Sequence, residues 1–156
     1  MANWTDSVGR VKGSKENIEK FFEILGNKNE ELPYLQRTQL NWYEVEDGSS
    51  SPFDFSCAWS VEGCWINCVL DKEEYPLMTN IMEITKDLDL EVKIVSAEPG
   101  VHFLEYLHID KGEVKAEEFW AEEDTEKIKV DCPISEKSWT QLYTLFDQIV
   151  EEKLHL

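Results

Sequence analysis

The chain has few arginines, few histidines and no long hydrophobic run. Arg10 and Arg37 are the only arginines among 156 residues, and there are three histidines. Paired guanidinium groups commonly bind phosphates, so a chain with two arginines has few of the groups that phosphate recognition needs. No apolar stretch approaches the ~18 residues that a membrane helix needs, and the opening MANWTDSVGR lacks the basic and apolar regions of a signal peptide. We therefore expect a cytoplasmic protein that does not bind membranes.

The sequence also lacks a complete catalytic motif. It has no Gly-rich phosphate loop, no nucleophile elbow and no HExxH helix, so we expect a protein that is not an enzyme. Its four cysteines are Cys57, Cys64, Cys68 and Cys132. Structural zinc sites usually combine two close pairs of ligands, and only Cys64 and Cys68 form such a pair, on one face of a predicted strand. The spacing favours buried free thiols over a metal site, and we expect no cofactor.

Acidic residues dominate the charge. There are 33 Asp and Glu against 15 Lys and Arg, which gives a formal net charge of −18 at pH 7. This charge repels DNA, RNA and anionic membranes, so we expect no direct nucleic-acid binding and a preference for basic protein partners. Hydrophobic residues make up 42% of the chain, which supplies a core and excludes a disordered acidic tail. The length predicts one domain over residues 1–156.

Hydrophobic periodicity predicts strands and helices in a mixed order. Alternating apolar residues indicate strands over residues 4–11, 34–45, 53–59, 64–70, 90–94, 101–110, 114–120 and 127–132. Helical spacing indicates helices over residues 14–26, 76–88 and 135–150, with Ser14 and Ser135 as N-caps and Pro76 in a first turn. Helices interspersed with antiparallel hairpins predict an α+β fold, with helices packed on one face of an antiparallel sheet.

Three short motifs resemble a known family. They are Met1-Ala2-Asn3-Trp4 with a strand that ends near Val11-Lys12-Gly13, the segment Phe53-Asp54-Phe55-Ser56-Cys57-Ala58-Trp59-Ser60, and the run from Leu88 through Ser96-Ala97-Glu98-Pro99-Gly100 to Gly112-Glu113. Together they resemble the YubB-type ferredoxin-like proteins carried by phages and plasmids, over roughly residues 1–118. The Asn-Trp-Gly-type segment of that family has its nearest counterpart in Asn41-Trp42-Tyr43, where the Gly is missing. The resemblance implies a ferredoxin-like fold, here with extra C-terminal strands and a helix, and a mobile-element origin, but no activity.

Carboxylates are most crowded between Gly112 and Asp131. This segment carries Glu113, Glu117, Glu118, Glu122, Glu123, Asp124 and Glu126, with Phe119 and Trp120 among them. Alternate residues of a strand lie ~6.6–6.8 Å apart on one face, so rows of carboxylates can imitate phosphates, which follow each other by ~3.4 Å along a DNA strand. We therefore expect these residues to bind the basic surface of a nucleic-acid-binding protein, with Phe119 and Trp120 as apolar anchors. The chain would then inhibit a host defence protein such as a CRISPR effector or a restriction enzyme.

Three alternatives stay open at this point. The carboxylates could serve solubility alone, although the charge is far beyond the ~2–8 that solubility needs. The strand face with His102, Tyr106, His108 and Asp110 could bind a small molecule or a nucleotide, while Val101, Phe103, Glu105, Leu107 and Ile109 form the other face. An enzyme could use Cys132, just before the third helix, or the region around His108.

Overall fold

The computed structural model describes residues 3–27, 29–46, 50–100, 103–121 and 139–155. The strands are β1 (Asp6–Lys12), β2 (Tyr34–Leu35), β3 (Thr38–Tyr43), β4 (Ser50–Cys57), β5 (Met78–Thr79), β6 (Glu91–Glu98), β7 (Phe103–Asp110) and β8 (Glu113–Ala121). The helices among the described residues are α1 (Lys15–Leu25), α2 (Ile81–Asp87) and α3 (Trp139–Ile149), and the same residues include the π-helical turns Glu62–Ile66 and Val150–Leu154.

Six strands form one sheet in the order β3-β4-β1-β6-β7-β8, and every neighbouring pair is antiparallel. The short strands β2 and β5 make a separate parallel pair. The predicted α+β class and its antiparallel sheet are therefore confirmed. Because β8 is the last strand in this order, the acidic segment begins at one end of the sheet.

The main core lies between the sheet and the helices α1 and α2. The alternation of β4 places Phe53, Phe55 and Cys57 on this side, where all three are buried. The helix α1 contributes Phe21 and Phe22, and both rings lie 5.5 Å from the ring of Phe53. Tilted aromatic contacts of this kind add to the free energy gained by apolar burial.

The helix α3 covers the opposite face of the sheet. Val95 and Ala97 of β6 and Leu104 and Tyr106 of β7 face this side, and they form a second core with apolar residues of α3 such as Phe146. Helices thus lie on both faces of the sheet, so the prediction that they pack on one face is wrong. The physical reason is that β6 and β7 carry apolar side chains on both faces, so both faces must be covered.

The strand predicted over residues 64–70 is wrong, because residues 62–66 form a π-helical turn. Polar side chains satisfy the backbone at its start. Ser60 Oγ accepts a hydrogen bond from Gly63 N at 3.0 Å, and the Glu105 carboxylate accepts from Val61 N at 2.6 Å. These acceptors favour a helical turn over a strand at this point.

The start of the second helix also differs from the prediction. The helix α2 begins at Ile81 instead of near Pro76, because the Asn80 side chain caps it by accepting from Glu83 N at 2.9 Å. Met78, which was predicted inside the helix, belongs to β5. The predicted N-cap of the first helix is confirmed.

Some predictions lie outside the described residues, namely the strand over residues 127–132 and the helix cap at Ser135. In the part of the chain that the structure describes, none of the helices has the length and apolar character needed to cross a membrane.

Candidate functional site

The carboxylates of β8 point to both faces of the sheet. Glu117 is paired with Leu107, which belongs to the main core beneath α1 and α2. Glu118 is paired with Tyr106, which lies under α3. The period of two along a strand therefore divides the predicted row of carboxylates between the two sides.

Two carboxylates of β8 have cationic neighbours. Glu113 Oε2 lies 2.5 Å from Lys115 Nζ, and Glu118 Oε1 lies 3.4 Å from Lys153 Nζ. Glu117 has no such neighbour among the residues described by the structure. Among the described residues, Glu117 is therefore the β8 carboxylate without a cationic neighbour, and it lies on the side of α1 and α2.

Glu105 of β7 is a buried carboxyl group on the same side of the sheet. Its side chain is only 2% exposed. Its Oε1 accepts from Val61 N at 2.6 Å and its Oε2 accepts from Glu62 N at 3.4 Å. Burial raises the pKa of Glu105 to about 7, the two N–H donors act against this rise, and the charges of Glu62 and Glu117 add to it. A carboxyl group that titrates near neutral pH is typical of functional sites, although structural networks can also produce it.

Glu62, Glu105 and Glu117 come from three different elements and meet at one cavity of about 200 Å³. We refer to these three residues as the carboxylate cluster. The cavity is lined by Ser60, Glu62, Glu105, Leu107, Glu117, Glu118 and Phe119. The pKa of Glu62 is also raised, first by burial and then by Glu117. Among the described residues, no Lys or Arg forms a salt bridge with a member of the cluster, so mutual repulsion is left uncompensated there.

A row of buried hydroxyl groups lies beside Glu105 on this face of the sheet. Thr5 Oγ1 is 2.8 Å from Ser7 Oγ, and Ser7 Oγ is 2.9 Å from Ser96 Oγ. Ser96 is paired with Glu105 across β6 and β7. The hydroxyl groups satisfy one another, so this polar row is compatible with burial.

The two aromatic residues predicted as anchors are separated by the sheet. Phe119 lies at the rim of the cavity and is 59% exposed, with its ring 5.1 Å from that of Phe103. Trp120 is half-buried and packs against the second core on the α3 side. Only Phe119 is therefore placed beside the carboxylate cluster.

Part of the predicted partner-binding set lies outside the described residues, namely Glu122, Glu123, Asp124 and Glu126. The described members of the set are Glu113, Glu117, Glu118, Phe119 and Trp120, and of these only Glu117, Glu118 and Phe119 line the cavity.

The alternative ligand face on β7 is largely covered. Leu104 and Tyr106 are buried in the second core beneath α3, and Lys153 Nζ lies 4.9 Å from the centre of the Tyr106 ring. His108 Nε2 is 3.6 Å from Glu91 Oε2. The centre of this face is therefore occupied by protein side chains, and His102 lies outside the described residues.

The thiols are arranged differently from the predicted strand pair. Cys57 Sγ lies 3.4 Å from Thr38 Oγ1, Cys64 Sγ lies 3.0 Å from Ala58 O, and Cys68 Sγ lies 3.9 Å from Thr79 O. Cys132 lies outside the described residues. Within the described ranges, no group of three or more His, Cys, Asp or Glu is arranged to hold a metal ion.

Comparison with known proteins adds nothing to this geometry, since no family model, curated protein or solved structure matches the chain. The resemblance to YubB-type proteins therefore stays a prediction.

The carboxylate cluster itself was not predicted from the sequence. The sequence feature that could have indicated the cluster is Glu105. It interrupts the otherwise apolar row of Phe103, Leu107 and Ile109 on one strand face. An acidic residue in such a row must be buried with partners or must open the core to water. No sequence pattern indicates that Glu62 joins the cluster, because the residues that follow it are predicted to form a strand.

Proposed function

We propose that this protein binds the basic surface of a nucleic-acid-binding protein through the carboxylate cluster and the adjoining face of β8, and so acts as a nucleic-acid-mimicking inhibitor. One observation carries the proposal. Three carboxylates from separate elements converge on one cavity, and no cation among the described residues compensates them.

Electrostatics supports a cationic partner. The pKa values of Glu62 and Glu105 are raised partly by neighbouring carboxylates, which means that the ionised cluster is destabilised by repulsion. A Lys or Arg side chain that entered the cavity would offset this repulsion, and the relief would contribute to the free energy of binding. The planar guanidinium group of Arg suits two carboxylates at once.

The exposed ring of Phe119 supports a protein partner over a simple cation. Aromatic residues beside a charged site often supply much of the binding energy at protein interfaces. Phe119 lines the same cavity as the cluster. A basic side chain could therefore be held between its ring and the carboxylates through cation–π attraction.

The whole-chain charge supports the same class of partner. With a net charge of −18, the protein repels nucleic acid and attracts the cationic channels that bind it, and this attraction accelerates association. Defence proteins such as a CRISPR effector or a restriction enzyme have channels of this kind.

The proposal includes a ferredoxin-like core and a mobile-element origin. In support of the fold, β1, α1, β3, β4, α2 and β6 follow a βαββαβ order, and their strands are arranged β3-β4-β1-β6 in the sheet. On this interpretation β7, β8 and α3 are the C-terminal additions. An origin in a phage or plasmid would explain the benefit of inhibiting a host defence protein.

Affinity capture from a bacterial lysate tests the function. The tagged protein should retain a nucleic-acid-binding protein that added DNA or RNA displaces and that rising salt releases. The purified partner should then bind the variant Glu62→Gln/Glu117→Gln at least about tenfold more weakly, as expected for the loss of interfacial charge pairs. The matched control is Glu19→Gln/Glu23→Gln, which removes two exposed carboxylates of α1.

Two outcomes would overturn the assignment. If both double variants lost affinity equally, net charge alone would drive binding and the cluster would have no special role. If neither lost affinity, the partner would bind elsewhere. Phe119→Ala separately tests the aromatic contact and should weaken binding by about 1–2 kcal/mol or more.

A further inference from the structure

A second cavity lies on the α3 side of the sheet. It has a volume of about 310 Å³, which is near the lower end of the ~300–1,000 Å³ that is typical of small-molecule sites. Asp54 of β4 lines this cavity and is paired with Val8 of β1, and Val8 packs against the second core beneath α3. The cavity is therefore on the opposite face of the sheet from the carboxylate cluster.

Asp54 is a half-buried carboxylate of this cavity. Its neighbours along β4, Phe53 and Phe55, belong to the main core, so the period of the strand directs the Asp54 side chain to the cavity side. Its carboxylate forms no hydrogen bond or ion pair with another residue that the structure describes. A partly desolvated charge of this kind is stabilised by a ligand of opposite charge.

A second carboxylate, that of Asp6, lines the same cavity. It accepts a hydrogen bond from the Tyr143 hydroxyl group. Burial and this hydrogen bond raise the pKa of Tyr143 to about 12, so the hydroxyl group keeps its proton and orients Asp6. Asp6 is two positions from Val8 along β1, and diagonal neighbours on paired strands lie ~7–8 Å apart. One cationic group can therefore lie between Asp6 and Asp54.

Cations are absent from the lining of this cavity, as far as the described residues show. Arg10 lies further along the same face of β1. Its guanidinium group donates to Ser50 O at 2.8 Å and to His155 O at 3.1 Å, so it is engaged with backbone carbonyls. The charges of Asp6 and Asp54 are therefore not compensated from within this part of the protein.

Apolar and aromatic side chains surround the two carboxylates. Phe146 of α3 is buried and lines the cavity together with Val8. Trp42 is paired with Asp54 across β3 and β4 and is 51% exposed. Directly paired residues have Cβ atoms ~4.5–5.5 Å apart on one face. A cation held by Asp54 can therefore also contact the Trp42 ring through cation–π attraction.

We propose that this cavity binds a small organic cation, in which a primary ammonium group is attached to an apolar or aromatic body. The ammonium group donates to the carboxylates of Asp54 and Asp6, and the body packs against Val8 and Phe146. The two carboxylates disfavour an anionic ligand. A bare metal ion would leave the apolar wall unused, and within the described ranges no group of three or more His, Cys, Asp or Glu is arranged to hold one.

Isothermal titration calorimetry of the full chain with 2-phenylethylamine tests the proposal. This probe has one ammonium group on an aromatic body, and it should bind with a dissociation constant of about 1 mM or lower. The neutral analogue 2-phenylethanol has the same body without the charge and should bind at least about tenfold more weakly.

Two variants that lose the same charge locate the site. Asp54→Asn should weaken binding of 2-phenylethylamine at least about tenfold. The matched control is Asp87→Asn at the exposed end of α2, which should bind like the wild type. The variant Glu62→Gln/Glu117→Gln should also bind like the wild type, because the carboxylate cluster lies on the other face. This last comparison makes the result independent of the proposed function.

Four results would overturn the proposal. They are the absence of saturable binding at about 10 mM probe, equal affinity for the alcohol, equal losses in the two Asp variants, and a loss in the carboxylate-cluster variant instead. Circular dichroism shows whether Asp54→Asn is folded. If it is not, Asp6→Asn takes its place, because Asn keeps an acceptor for the Tyr143 hydroxyl group, and the same loss is expected.

Discussion

Replacement of Glu105 by Gln should make the protein more stable at neutral and alkaline pH. The pKa of Glu105 rises from 4.5 to about 7, with burial as the main cause. A tenfold change in an ionisation constant is worth about 1.4 kcal/mol, so ionising this group in the folded protein costs about 3 kcal/mol relative to the unfolded chain. Gln keeps the shape and one acceptor for Val61 N without the charge.

The direction of this pH dependence follows from proton binding to Glu105. Between pH 4.5 and about 7 the folded state holds a proton on Glu105 that the unfolded state has lost. The stabilising contribution of Glu105 is therefore complete below pH 4.5, decreases as the pH rises, and is lost above about pH 7. The Glu105→Gln variant lacks this dependence, so its advantage over the wild type should grow with pH.

Urea unfolding at a series of pH values measures the difference. The free energy of unfolding of Glu105→Gln minus that of the wild type should increase by about 2 kcal/mol between about pH 5.5 and about pH 8. Starting at about pH 5.5 keeps the protein away from its isoelectric point, which is ≈ 4.4. Glu23→Gln on the exposed face of α1 is the control, and its difference from the wild type should be nearly independent of pH.

A second variant separates the causes of the raised pKa. Glu117 contributes less than burial does, so Glu117→Gln should reduce the pH dependence of the wild type without removing it. The reasoning would be refuted if the Glu105→Gln and wild-type stabilities changed in parallel with pH. It would also be refuted if Glu105→Gln were less stable than the wild type by the same amount at every pH, because the carboxylate would then be needed mainly as an acceptor.

Three further substitutions test the packing and the backbone by the same urea assay. Gly9→Ala should destabilise by about 1–3 kcal/mol, because its Cβ would lie 2.4 Å from Cζ of the buried Phe53; no loss would show that the ring can move aside. Ser14→Ala should cost about 1 kcal/mol through the lost hydrogen bond from Asn17 N, whereas Ser14→Asp should cost little. Gly112→Ala should cost about 1 kcal/mol, since φ is +89° there, and an unchanged stability would contradict a strained turn.

Local patterns predicted much of the sheet. The alternation in β4 and the turn at Lys111 and Gly112 follow from side-chain period and turn chemistry, and the structure has both. The N-cap at Ser14 is likewise a local signal, because a hydroxyl group three residues before a free N–H is sufficient to satisfy it. Elements of this kind need no distant partner to form.

The errors occurred where distant contacts decide the conformation. The segment around Cys64 has apolar residues that suit a strand, but its preceding N–H groups are held by Glu105, which lies more than 40 positions away in the chain. The position of α3 similarly depends on both faces of β6 and β7 being apolar. Neither contact can be inferred from the spacing within one element.

The candidate site was predicted only in part for the same reason. The charge of β8 is visible in the sequence, so Glu117 and Phe119 were found. The periodicity of a strand fixes that Glu117 and Glu118 point to opposite sides, but only tertiary structure shows which side meets other carboxylates. Glu62 lines the cavity from the π-helical turn, and Glu105 accepts hydrogen bonds from the N–H groups at the start of that turn.

The stability cost of Glu105 bears on the proposed function. A neutral residue at this position would satisfy the fold at lower free energy, since the ionised group costs about 3 kcal/mol near neutral pH. Groups that destabilise a fold are commonly retained where function needs them. A cationic partner would stabilise the ionised form of Glu105, so binding should lower its pKa and strengthen as the pH rises through 7. Glu105→Gln should therefore raise stability and weaken partner binding together, whereas a gain in stability with unchanged binding would leave the buried charge without a role in recognition.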